Sequence, residues 1–143
     1  MSKKLACLLL SVLFLFAGTV SAAAMDPDSA ARESGAGTRW SYTNYTATSI
    51  RIASGGTATC SSLIQGYPGT TTKVTIEMTL QKRFLLLFWT DEQTWKQTFT
   101  GEYGSLVKNC SVSSGTYRVS TTYTAYSGNN YEVITMASQT TTY

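Results

Sequence analysis

The chain has 143 residues, 11 Lys and Arg against 8 Asp and Glu, a formal charge of +3, and no histidine. So weak a charge provides no basic groove for nucleic acid and no polybasic membrane patch. The missing imidazole removes Ser-His-Asp and Cys-His hydrolases, most zinc sites and the commonest general base.

Lys3 and Lys4 precede an apolar run over residues 5–16, interrupted only by Ser11, and small residues follow over 17–24. This pattern predicts a signal peptide over residues 1–22. Val20-Ser21-Ala22 places small residues for cleavage after Ala22, and Ala24 is the second choice. The apolar run falls short of the roughly 20 residues needed to span a bilayer, so a stable membrane anchor is not expected. Lipid anchoring is not expected either, because Cys7 lies inside the run. The expected location is secreted, either extracellular or at the cell envelope. Removing the signal peptide takes away Lys3 and Lys4 and leaves a charge of +1. Residues 23–39 hold Met25 as their only large apolar side chain and read as a flexible leader.

Residues 40–143 form the expected folded domain. From Trp40 onward, apolar and polar residues alternate with turn signals about every ten residues, which predicts an all-β sandwich or barrel. The alternation is strictest over residues 74–81, where Val74, Ile76, Met78 and Leu80 face a core and Thr75, Glu77, Thr79 and Gln81 face water. A second clear strand covers 117–125, and Ser127-Gly128-Asn129-Asn130 turns it into another over 131–136. Weaker strands are expected over 47–53, 57–65, 94–100 and 106–112. No helical period of useful length occurs after Trp40.

With Cys7 removed by export, Cys60 and Cys110 remain as an even pair in an oxidising space, so one disulfide is expected. About seven strands, with Gly115-Thr116-Tyr117 opening the penultimate one, resemble the immunoglobulin and fibronectin type III sandwiches. The expected architecture is therefore an antiparallel two-sheet, immunoglobulin-like sandwich. The resemblance implies that Tyr117 is a structural corner bonded back to the preceding loop. It also implies that Cys60 and Cys110 lie on neighbouring strands of one sheet, unlike the inter-sheet bridge of antibody domains.

A further set of residues comprises Cys60, Met78-Thr79-Leu80-Gln81-Lys82, Trp89, Trp95, Gly115-Thr116-Tyr117-Arg118-Val119 and Tyr126-Ser127-Gly128. Together they resemble a family of small secreted proteins of Gram-positive bacteria with no assigned function. That likeness implies a small extracellular β-sandwich and carries over no catalytic residue. Phe84, Leu85, Leu86, Leu87 and Phe88 depart from it, since a short polar hairpin is expected there.

Catalytic residues are not expected, and the domain is read as no enzyme. Glu77 faces outward, Asp91-Glu92 is expected to fall in a turn, and Ser-Lys or paired-carboxylate chemistry has no visible constellation. No cofactor is implied, and no metal: calcium at Asp91, Glu92 and Glu102 would need ligands converging from separate loops. Asn44-Tyr45-Thr46 and Asn109-Cys110-Ser111 match the glycosylation pattern but arise readily by chance in a Thr-rich chain.

Two contact regions stand out. The apolar run 84–88 places about half its side chains outward if it is a strand, where a partner, a membrane surface or a neighbouring molecule can cover them. Lys82 and Arg83 beside it can act as gatekeepers against edge-to-edge aggregation. Trp89 and Trp95, with Tyr103, Tyr126 and Tyr131, are a candidate aromatic platform for sugar stacking, although a buried Trp is the ordinary outcome in such a fold. The expected function is a secreted non-catalytic module of unknown specific role, engaged in binding or surface interaction with an unknown protein, cell-surface or glycan partner. The alternatives are a carbohydrate-binding module or a secreted inhibitor or toxin-like effector.

Overall fold

The computed structural model describes residues 40–143. The expected signal peptide and leader, with Cys7, lie outside the described residues. Eight strands follow in order: β1 (Thr43–Ile52), β2 (Thr57–Gly66), β3 (Lys73–Phe84), β4 (Phe88–Thr100), β5 (Tyr103–Ser111), β6 (Thr116–Ser127), β7 (Asn130–Ala137) and β8 (Thr141–Thr142). They form two antiparallel sheets, one ordered β1-β2-β5 and the other β4-β3-β6-β7, with β8 also pairing to β6. All seven expected strands are present. The eighth is two residues long and has no alternation to read.

Alternation decides which side chains meet between the sheets. Val74, Ile76, Met78 and Leu80 of β3 are all buried, as are Tyr117, Val119, Thr121, Tyr123 and Ala125 of β6. Ala58, Cys60, Ser62 and Ile64 of β2 close the core from the opposite sheet. The interior is not wholly apolar. The hydroxyls of Ser62 and Thr121 lie 2.7 Å apart across the sheets, and the Tyr123 phenol donates to the Ala47 carbonyl and lies 2.6 Å from the Thr48 hydroxyl. These bonds satisfy groups whose burial would otherwise be costly.

Two local devices fix the ends of the second sheet. The Tyr117 phenol donates to the Ser113 carbonyl at 2.8 Å while its ring is buried, which anchors the loop entering β6. Between β7 and β8, Ser138 replaces one ladder step: its amide donates to the Val119 carbonyl and its hydroxyl accepts from the Val119 amide. At the start of the domain, the Glu132 carboxylate on β7 accepts from the amides of Ser41 and Tyr42, each at 2.8 Å.

β2 and β5 are neighbours, and β3, β6 and β7 share the other sheet, as an immunoglobulin-like labelling requires. β4 departs from the constant-type arrangement by joining β3. The tight turn after Phe84 sends it straight back, and its ladder runs from Phe84↔Phe88 to Lys73↔Thr100.

The disulfide expectation is corrected here. Cys60 and Cys110 do lie on the neighbouring strands β2 and β5, but both are free thiols. The register pairs Ala58 with Cys110 and Cys60 with Lys108, so the two cysteines occupy diagonal positions. Diagonal Cα atoms in an antiparallel ladder are about 7–8 Å apart, beyond the usual bridge span of roughly 4.4–6.8 Å. Burial first, then the neighbouring Cys110, pushes the Cys60 thiol up to about 12, and burial also raises Cys110. Both remain protonated and poorly nucleophilic at neutral pH.

Candidate functional site

The β3–β4 hairpin carries the most unusual surface of the domain. β3 pairs with β6 only as far as Lys82↔Tyr117, so Arg83, Phe84 and the turn have β4 as their sole neighbour and project past the sheet. Phe84, Leu85, Leu86, Leu87 and Phe88 are all exposed, from 55% at Phe84 to 83% at Leu86. As a strand the run would bury alternate residues. As a turn it buries none, because the sandwich ends before reaching it.

The turn geometry is as unusual as its composition. Leu85 and Leu86 both have positive φ, 48° and 63°, and the Leu87 amide donates to the Phe84 carbonyl at 3.3 Å. Consecutive left-handed residues match the twist of a hairpin, and Asn-Gly or Gly-Gly normally supply them. For a leucine each such residue costs about 1–2 kcal/mol, because Cβ crowds the following carbonyl.

Behind the apolar tip lies a cluster of cations around one indole. Trp89 has the Arg118 guanidinium 4.2 Å and the Arg83 guanidinium 4.9 Å from its ring centre. Arg118 Nε donates to Gln81 Oε1, and the Gln81 amide donates in turn to Asp91. Among the described residues neither arginine is in a salt bridge, the ion pair present being Lys96–Glu77. Burial and then the nearby Arg83 both lower the Arg118 guanidinium. On the inner side, Lys82 Nζ donates to Ser113 and lies 5.5 Å from the Tyr117 ring.

The candidate aromatic platform does not assemble. Trp95 pairs with Met78 and packs on the core from the inner face, while Trp89 pairs with Arg83 on the outer face. Tyr126 and Tyr131 lie together at the opposite end of the outer face, beside Lys73, with rings tilted 43° to each other. Tyr103 opens β5 in the other sheet. The calcium set is equally dispersed: Asp91 bonds Gln81 near the tip, whereas Glu102 lies in the turn at the far end of β4. Among the described residues no three His, Cys, Asp or Glu side chains group as a metal site, and no helix is long and apolar enough to cross a membrane.

A cleft of about 400 Å³ opens between the sheets where β4 and β5 diverge, lined by Leu80, Glu92, Gln93, Cys110, Val112 and Tyr117. Glu92 is the one carboxylate of that lining, and burial raises the Cys110 thiol above its ordinary value. Sequence reasoning noted Lys82 and Arg83 but missed Arg118. Its outward parity on β6 was visible, whereas its place beside Trp89 depends on the β3–β6 register.

No known family model matches the chain. No curated protein matches it. The structure is similar to the solution structure of R. palustris CsgH, with 12% sequence identity and a TM-score of 0.37, over 64% of this chain and 91% of that one.

Proposed function

We propose that this protein is an exported, non-catalytic β-sandwich that acts as a contact module and meets its partner through the hairpin tip at residues 84–88. One observation carries the reading: five consecutive large apolar side chains, every one exposed, on a turn that holds two leucines in a left-handed conformation. A turn serving only to reverse the chain has cheaper sequences, and exposed apolar clusters mark interaction surfaces. The rigid two-sheet core supports this role by displaying the tip without moving it. The N-terminal apolar run supports export to the cell surface or envelope.

The test is association with the envelope fraction of the producing cells. Leu85→Ser combined with Leu87→Ser should reduce that association while circular dichroism and the thermal midpoint stay those of the parent protein. Undiminished association by the folded variant would end the reading.

A further inference from the structure

We infer that the partner of the hairpin tip is an anionic phospholipid surface, an identification that rests on the contact reading above. The tip is convex and projects from the end of the sheet, so its counterpart has to be concave or deformable. From the Arg83–Trp89 pair to the apex at Leu86 is three residues, or about 10 Å at strand rise, comparable to the roughly 5–10 Å that interfacial elements sink below the headgroups. Leucine and phenylalanine at the apex, then Trp89 level with Arg83, then Lys82 and Arg118 behind them follow the polarity order met on passing from acyl chains to phosphate.

Charge decides between this partner and an apolar protein pocket. Arg83 and Arg118 share Trp89 with no carboxylate partner among the described residues. Asp91 on that face accepts a hydrogen bond from Gln81 and forms no ion pair with either arginine. Glu92 lies on the side of the cleft. Two crowded guanidiniums behind an apolar apex suit lipid phosphates, which relieve their mutual repulsion. A neutral pocket would leave both cations uncompensated.

The experiment uses protein expressed from the full reading frame, with the N terminus its host leaves. It is sedimented with phosphatidylcholine vesicles and with mixed phosphatidylcholine–phosphatidylglycerol vesicles. All variants share the same N terminus, so differences report the hairpin. The parent should bind the mixed vesicles, with its tryptophan emission quenched by brominated lipid. Leu85→Asn combined with Leu86→Gly, which suits the turn and keeps the fold, should lower partitioning by about tenfold or more. Arg83→Gln should lower it about fivefold on mixed vesicles and leave neutral vesicles unchanged. Equal partitioning of parent and tip variant, or no vesicle binding by the parent, overturns the lipid identification. If envelope association still depends on the tip in that case, the contact reading stands and the partner is a protein or glycan.

Discussion

Leu85 and Leu86 show how a single pair of residues can set stability against use. Each adopts a conformation that L side chains resist, and neither gains burial in return. Leu85→Asn with Leu86→Gly is therefore predicted to stabilise the domain by about 2 kcal/mol, seen as a higher denaturant midpoint at unchanged slope. Cys60 shows a second residue-scale effect. Its thiol ionises near 9 when unfolded and only at about 12 in the fold. The folded state thus keeps a proton that the unfolded state gives up. This contribution is complete below pH 9 and is lost as pH rises toward 12. Tyr123, also raised by burial, acts in the same direction. The thermal midpoint should fall across that interval, and Cys60→Ala should flatten the fall. A midpoint indifferent to alkaline pH would contradict the burial argument.

At the scale of the element, β4 decides what the two tryptophans do. Trp89 and Trp95 are six apart, and plain alternation puts them on one face. The ladder, however, passes from Leu80↔Gln93 to Gln81↔Asp91, leaving Glu92 as one extra residue, and that bulge reverses the faces. Trp95→Ala is therefore predicted to cost about 2–3 kcal/mol through lost core contact, and Trp89→Ala about 1 kcal/mol or less through lost cation–π contact. Chemical denaturation of the two variants checks the order, and equal costs would contradict the assignment. The strand itself was legible over 94–100, since its residue types suit a sheet. The bulge was not: Asp91-Glu92 reads locally as a turn, and only its partners on β3 show that it continues the strand with one extra residue.

Across the whole molecule, the two sheets are joined by polar as well as apolar contact. The hydroxyls of Thr48, Ser62, Thr121 and Tyr123 form one buried network between β1, β2 and β6. Ser62→Ala and Thr121→Val should each cost about 1–2 kcal/mol, and the double variant should cost less than their sum by about 0.5 kcal/mol or more, since both remove the same bond. A fully additive double variant would show that the two hydroxyls act separately. Alternation alone determined the all-β class, the seven main strands and the inward set from Val74 to Leu80, because a side-chain period of two is a local property of the backbone. It also singled out residues 84–88 as anomalous by composition. Only the tertiary structure decided that this run is a freestanding turn, that Arg83 and Arg118 both meet the Trp89 ring, and that Cys60 and Cys110 are diagonal thiols. Those outcomes depend on which residue of one strand lies opposite which residue of another. Register of that kind is set by turns, bulges and the meeting of two sheets, none of which is encoded within a single strand.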